Sequence, residues 1–351
     1  MRRIAIIPGD GIGIEVTREA VRALETTRDC FGIELELVHF DWGAEKYLRE
    51  HVSLPEGALE MFRRDFDAIF TGAFGDPRVE SNRHAIDILG GLRFGLDLYI
   101  NLRPVRLLND RFTPLKSGNR RNIDFVVFRE NTEGMYVNAG GNFKLGADQE
   151  IAIQEEINTR HGVDRIIRAA FAYARQHGRK RVTLADKSNV LTYGHGLWRR
   201  VFKAVASEYP DIDANAQYVD AMAMLMVLDP GQYEVIVTNN MFGDILTDLG
   251  AALQGGLGVA ASANLHPGRV SLFEPVHSSA PDKAGRGIAN PIGAIMTVAM
   301  MLDYLGYPDA ARRIEQAIED ACDAGEVTID LGGALSTAEA GAAICHRVGL
   351  R

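Results

Sequence analysis

Residues 4–13 read IAIIPGDGIG, and residues 14–24 continue IEVTREAVRAL. A β-branched run ends at Pro8, a cluster of glycines follows, and apolar positions then recur at Val16, Ala20, Val21 and Leu24 with a helical period. Strand, glycine turn and helix in that order open an α/β chain. The turn invites a dinucleotide-binding reading, which needs glycines in the pattern GxGxxG. Gly9, Gly11 and Gly13 do not fit it, because Ile14 stands where the third glycine belongs. Asp10 also brings a negative charge to the place where a pyrophosphate would lie. The fold expected is therefore α/β but not a Rossmann fold.

The same alternation continues outward from this stretch. Strands are predicted at residues 33–40 and 68–71, and again near 125–128, 182–185 and 235–238. Helical periods run through 54–62, 163–176, 197–207, 245–254 and 292–305. Such a sequence of elements implies a largely parallel sheet covered by helices. Residues 136–155, YVNAGGNFKLGADQEIAIQE, interrupt the rhythm with a glycine-rich centre between β-suited ends. They read as a hairpin or arm leaving the body rather than as a plain surface loop, because 150–154 has strand character.

Bulk properties narrow the function classes. Of 351 residues, 46% are hydrophobic and 24% charged, the balance of an ordinary globular chain. A net charge of −9 argues against general affinity for nucleic acid or an anionic membrane, but leaves room for a local arginine cluster that grips an anion. The three cysteines, Cys30, Cys322 and Cys345, form no CxxC pair, so neither a disulfide framework nor a thiolate zinc site is expected. The apolar run near the N-terminus is too short for a signal core and no segment approaches the ~20 apolar residues of a membrane span. A soluble cytoplasmic protein is expected.

Several residues can carry chemistry. Arg93 and Arg103 flank an apolar stretch, and Arg129 ends the run 125–128. Strand ends are where α/β sheets bind ligands, and guanidinium groups there would hold carboxylates by planar, paired hydrogen bonds. Asp244 and Asp248 in FGDILTD are one helical turn apart at a predicted helix start, so both face the same way. Helix-dipole pairing accounts for Asp244 better than for Asp248. Asp220 is a third carboxylate, set in the apolar stretch YVDAMAMLMV. Hard oxygen donors of this kind suit magnesium or manganese. Lys187 follows a predicted strand, and Tyr136 lies in the arm; each is more often a solvated or packing residue than a catalytic one.

These residues lie in motifs that resemble one family. IIPGDGIG, LDLYINLRPV, FRENTEG, DKSNVL, YVDAMAM, TNNMFGDILTD and EPVHSSAPDKAGRGIANPIGAI occur in order along essentially the whole chain. They resemble the metal-dependent decarboxylating dehydrogenases of isopropylmalate, isocitrate, homoisocitrate and tartrate. The resemblance implies an isopropylmalate dehydrogenase-like, two-domain fold around a large mixed sheet, with a dimerisation arm at 136–155. Residues 1–98 and 255–351 would form the larger, cofactor-binding domain, and 99–254 the smaller one. Arg93, Arg103 and Arg129 would hold the malate carboxylates, and Tyr136 and Lys187 would be the acid–base pair. Asp220, Asp244 and Asp248 would bind Mg2+ or Mn2+, with Lys187 and Asp220 supplied by the partner subunit of an obligate homodimer. NAD would lie against Ile12, His277, Ser278, Ser279, Ala280, Pro281, Asp282 and Asn290. Asp282 resembles the NAD-type members, where a carboxylate would bond ribose hydroxyls and repel a 2′-phosphate, and so implies an NAD preference.

Departures from the family pattern are Ile14, where proline is common, and Ser278, where glycine is common. Substrate choice in the family lies just before Arg93. Here the apolar pair Ile86 and Leu89 favours an alkyl substituent, as in 3-isopropylmalate; a role in leucine synthesis would follow, and a specialised pathway using another substituted malate reads equally well. Asp87 would repel a third substrate carboxylate. FRENTEG and IQEEINTRHGVDRI resemble instead the tartrate and isocitrate branches, so tartrate, malate, isocitrate and homoisocitrate stay open as substrates. A non-catalytic regulatory subunit would be expected to lack part of the lysine, tyrosine and aspartate set, and none is missing.

Overall fold

The computed structural model describes residues 1–116 and 118–350, which divide into two compact units. The first comprises residues 1–98, 104–120 and 251–351, and the second residues 99–103 and 121–250.

In the first unit, β1 (Arg2–Gly9) runs through the glycine turn into α1 (Ile12–Phe31). There follow β2 (Leu35–His39), α2 (Ala44–Glu50), α3 (Ala58–Asp65), β3 (Ala68–Ala73) and α4 (Arg83–Gly95). β1 pairs in parallel with β2 on one side and β3 on the other. Every residue of β3 is buried, which explains why its sequence shows no alternation. α1 buries Val16, Ala20 and Leu24 and stops at Gly32, whose left-handed conformation closes the last turn.

β4 (Ile100–Arg106) crosses from the second unit into the first at Pro104. The second unit holds β5 (Asp124–Glu130), the hairpin β6 (Gly140–Phe143) and β7 (Ile151–Gln154), α5 (Arg160–Gln176), β8 (Arg181–Asp186) and α6 (Gly194–Ala206). It continues with β9 (Asp213–Tyr218), α7 (Val219–Leu228), β10 (Val235–Thr238) and α8 (Asn240–Gln254), the last turn of which enters the first unit. β5, β10, β8 and β9 pair in that order, all parallel. β6 and β7 pair with each other, Phe143 opposite Ile151, and every residue of both is exposed. The chain then adds β11 (Ala261–Leu265), β12 (Ser271–Pro275), α9 (Ile292–Tyr304), α10 (Pro308–Asp323) and α11 (Thr337–Gly349) to the first unit. β12 lies parallel to β3 and antiparallel to β11, so the strands are mixed in direction.

Three expectations from sequence are corrected. Residues 104–120, expected in the smaller domain, belong to the first unit, because their side chains are tied to α10. Arg106 pairs with Glu315 and Glu319, Asn109 donates to Asp323, and Arg120 pairs with the same Asp323. α8 begins at Asn240, so Asp244 stands in its second turn and Asp248 in its third, beyond the reach of the N-terminal dipole. Asp10 is not a repellent charge facing a ligand. Its carboxylate accepts from the Ala44 N–H at 2.6 Å, the Gly75 N–H at 2.8 Å and His84 Nε2 at 2.8 Å, and it is 5% exposed.

The glycines around Asp10 serve packing. A Cβ on Gly13 would stand 2.5 Å from the Ala73 amide nitrogen, and one on Gly11 would overlap the Ser279 carbonyl, which the Ile12 N–H instead bonds at 2.8 Å. Asp10 thus ties the end of β1, the start of α2 and the start of α4. Replacing it strands two buried N–H groups and a buried imidazole, at a cost of about 3 kcal/mol. Asp10→Ala is expected to lower the thermal midpoint by about 5 °C or more. Exposed Asp29→Ala should leave it unchanged, and equal midpoints for the two variants would show that the buried carboxylate does not hold these elements.

Candidate active site

The carboxylate of Asp244 gathers the second unit's candidate residues. Arg129, at the end of β5 and 1% exposed, reaches it through Nη1. Tyr136 donates its hydroxyl to Asp244 Oδ2 at 2.8 Å, and the Arg129 guanidinium lies 5.3 Å from the Tyr136 ring centre. Arg103, on β4 and 8% exposed, brings Nη2 to 3.7 Å from Asp244 and Nη1 to 3.8 Å from Asp248. Two guanidinium groups and one phenol therefore converge on one turn of α8.

Neutral neighbours orient both arginines. Asn240 Oδ1 accepts from Arg129 Nε at 3.0 Å and Nη2 at 2.6 Å. Asn101 Oδ1 accepts from Arg103 Nε at 2.8 Å, and Thr247 Oγ1 from Nη1 at 2.7 Å. Gly243 makes room for the crossing: a Cβ there would stand 2.5 Å from Arg129 Cγ. Asn101, Asn240, Gly243 and Thr247 all lie within the quoted motifs, but the sequence reading assigns none of them a role. Their signal in the sequence is spacing alone: Asn101 lies two residues before Arg103 on one strand face, and Asn240 and Thr247 lie one turn to either side of Asp244.

The electrostatics follow from this convergence. Burial works to raise the Asp244 carboxyl, but Arg129, the Tyr136 hydroxyl and Arg103 outweigh it and hold the group below the usual carboxylate range. Burial and the Asp244 carboxylate push the Tyr136 phenol above its ordinary value, against the smaller opposing effect of the arginines.

Lys187 and Asp220 form a separate pair. Lys187 Nζ lies 2.5 Å from Asp220 Oδ1 and 5.7 Å from the Tyr218 ring centre. That hydrogen bond, with help from backbone N–H groups in the first turn of α7, lowers the Asp220 carboxyl. Among the described residues, no three His, Cys, Asp or Glu side chains are grouped so as to hold a metal ion. One chain thus collects Asp244 and Asp248 but does not bring Asp220 to them.

In the first unit, Arg93 donates from Nη2 to Glu274 Oε1 at 2.6 Å, an acceptor shared with Asn264 Nδ2 at 2.7 Å. Its Nε is buried without a hydrogen-bond partner. Ile86, on the same face of α4 as Arg93, is 61% exposed, and Leu89 is half-buried. Asp87 is turned instead toward Ser53 Oγ at 3.1 Å and Arg83 Nε at 2.9 Å. Of the expected cofactor residues, Ile12 is buried beside Ser279, and Ser278, Pro281 and Asp282 are exposed. Ser278 has no positive φ, so a side chain is tolerated there, whereas the next residue but one, Ala280, has φ 39°. His277 is buried with Nε2 unpartnered, and burial holds its imidazole below its ordinary value. Asn290 is largely engaged by the fold, accepting from the Ile292 N–H at 3.0 Å and donating to Asp330 at 3.0 Å. Ile14 costs α1 little relative to proline, since its N–H makes only a 3.4 Å contact with the Gly11 carbonyl.

Known proteins resemble this chain over nearly its whole length. The model of the isocitrate/isopropylmalate dehydrogenase family matches residues 3–344. The chain is 44% identical over 348 residues to the 3-isopropylmalate dehydrogenase of Thermobifida fusca, covering 99% of this chain and 97% of that one. It is 45% identical over 347 residues to that of Streptomyces coelicolor, covering 98% of each. Among solved structures, the isocitrate dehydrogenase of Methylococcus capsulatus is similar with a TM-score of 0.90 at 39% identity, over 99% of this chain and 100% of that one. A chain matched over nearly its whole length by both sequence and fold is not a distant cousin: it belongs to the isocitrate/isopropylmalate dehydrogenase family.

Proposed function

We propose that the protein oxidises and decarboxylates a 3-substituted malate, of the 3-isopropylmalate kind, to a 2-oxo acid and carbon dioxide, using NAD and Mg2+ or Mn2+. The observation that carries this reading is the convergence of Arg103, Arg129 and Tyr136 on Asp244, with Asp248 one turn further along α8. Oriented guanidinium forks suit carboxylates, and a phenol beside them suits proton transfer to a neighbouring carbon.

The residues fit the two absent groups. Asp244 and Asp248 offer hard oxygen donors on one helix face, with Asp220 the third donor from a second copy. Unpartnered His277 Nε2 is a buried polar atom that a nucleotide would satisfy. When bound, NAD would supply a hydride acceptor and the cation a Lewis acid that eases loss of carbon dioxide. The chain's own residues do the rest. Arg103 and Arg129 fix the carboxylates and so decide which bond aligns for cleavage. Lys187 Nζ takes the proton of the substrate hydroxyl, and the Tyr136 hydroxyl returns one to the carbon that loses the carboxylate. Asp282 favours NAD over its 2′-phosphorylated form.

Exposed apolar side chains support the homodimer. Phe143, Leu145, Ile151 and Ile153 of the hairpin are 57%, 74%, 52% and 44% exposed. A two-stranded hairpin is marginal alone, and an apolar set of this size calls for a covering surface. A second copy clasped by the arm would cover it and bring the Lys187–Asp220 pair to the other subunit's Asp244.

The alkyl reading of the substrate rests on Ile86 and Leu89 and on the relatives named 3-isopropylmalate dehydrogenase. Gly90 keeps a second reading alive: a Cβ there would meet nothing nearer than Phe94 at 4.0 Å, leaving room for a differently shaped substituent such as that of isocitrate. Parallel kcat/KM values for 3-isopropylmalate, isocitrate, homoisocitrate, malate and tartrate, with NAD and magnesium or manganese, decide between them. The highest value is expected for 3-isopropylmalate, and EDTA should abolish turnover until the cation is restored. Turnover that persists in chelator without divalent ion would remove the metal from the mechanism.

Lys187→Ala is expected to lower kcat by about a hundredfold or more, the scale of a lost general base, with KM less affected. Near-normal kcat in that variant would leave Lys187 a surface lysine paired with Asp220.

A further inference from the structure

The backbone of Lys187 is held by a polar chain that the reaction itself does not use. Its N–H donates to Nδ1 of His195, in α6, at 2.9 Å. A backbone N–H can only donate, so Nδ1 is the bare ring nitrogen and the ring proton sits on Nε2. His195 is 1% exposed, and its Nε2 faces Glu156 Oε1 at 3.4 Å. The same carboxylate oxygen accepts from Asn239 Nδ2 at 2.6 Å. Asn239 Oδ1 in turn accepts from the Phe242 N–H at 3.0 Å, capping the first turn of α8. One line of side chains therefore runs from the Lys187 amide to the helix that carries Asp244.

The turn after β8 needs such an anchor. Asn189, Val190, Leu191, Thr192 and Tyr193 are all exposed, so they pack against little within the chain. The Lys187 carbonyl only closes the turn upon itself, accepting from the Val190 N–H at 3.0 Å and the Leu191 N–H at 2.8 Å. The bond to His195 instead ties the start of this turn to a buried residue.

We propose that His195 is a positioning residue for Lys187: its unprotonated Nδ1 fixes the lysine's backbone, while Glu156 and Asn239 set that anchor in register with α8. The inference rests on the reading of Lys187 as the group that takes the hydroxyl proton. It predicts that the acceptor at the Nδ1 position matters more to the chemical step than the group at Nε2.

Two substitutions separate these. In His195→Asn the side-chain oxygen stands where Nδ1 was and can accept from Lys187, while contact with Glu156 is lost. In His195→Gln the amide reaches the Nε2 position and the Lys187 N–H is left bare. His195→Gln is expected to lower kcat about tenfold with KM for the hydroxy acid within about twofold, and His195→Asn to keep kcat within about threefold. Equal losses of kcat in both, tracking their thermal midpoints, would overturn the proposal, as would unchanged kcat in His195→Gln. Hydrogen exchange on the wild-type dimer gives a reading free of any folding defect: the Lys187 amide should be protected, and its free exchange would also overturn the proposal. If Lys187→Ala keeps its activity, the functional reading fails. If that variant is inactive while His195→Gln is fully active, only the anchor fails.

Discussion

A buried guanidinium needs an anion, and in the second unit that anion is Asp244. Arg129 is all but inaccessible, and its charge is neutralised by a carboxylate one side chain away on α8. The rest of the site is built round this contact. Gly243 lacks a side chain because Arg129 passes over it, and Asn240 takes up the guanidinium edges that Asp244 does not. Tyr136 is drawn from the base of the arm to the free oxygen of the same carboxylate. On the proposed reading, arginines already fixed by Asn101, Thr247 and Asn240 would lose little further freedom to a substrate carboxylate, leaving more of the contact energy for binding.

Much of this was legible in the sequence, and the failures have physical causes. The alternation of periods revealed the α/β class because helices and strands bury different spacings of the same apolar residues. The arm was legible because 150–154 has strand character, although among the described residues nothing in its own chain buries it. Asp10 was misread because a charge in a glycine turn looks solvent-facing until its donors, Ala44, Gly75 and His84, are brought to it from distant positions. The segment 104–120 was assigned to the wrong unit because what anchors it, α10, lies some two hundred residues on. Asp244 and Asp248 were recognised by motif, but their place inside α8 was not, since TNNMF carries no obvious helical period before them. Asn240, Thr247 and His195 escaped notice for a common reason: a neutral polar residue signals nothing until its partner is known.

On the proposed reading, each chain alone holds an incomplete site. Lys187 is bonded to Asp220, and Tyr136 to Asp244, and among the described residues no third carboxylate joins Asp244 and Asp248. Two half-sites in one chain, together with an apolar arm that nothing in that chain covers, make sense if each half serves a different copy. We therefore propose that the acid and the base of one reaction come from two polypeptides.

Hybrid dimers of differently tagged chains test this most directly. With Lys187→Ala on one chain and Tyr136→Phe on the other, a shared site predicts one intact and one doubly damaged centre, and so about half of the wild-type activity. With both substitutions on one chain and none on the other, every centre carries one lesion and the hybrid should be nearly inactive. The two hybrids contain the same substitutions, so differences in stability largely cancel. An inactive first hybrid beside a half-active second would contradict the account, because each polypeptide would then hold its own lysine and tyrosine in a single site.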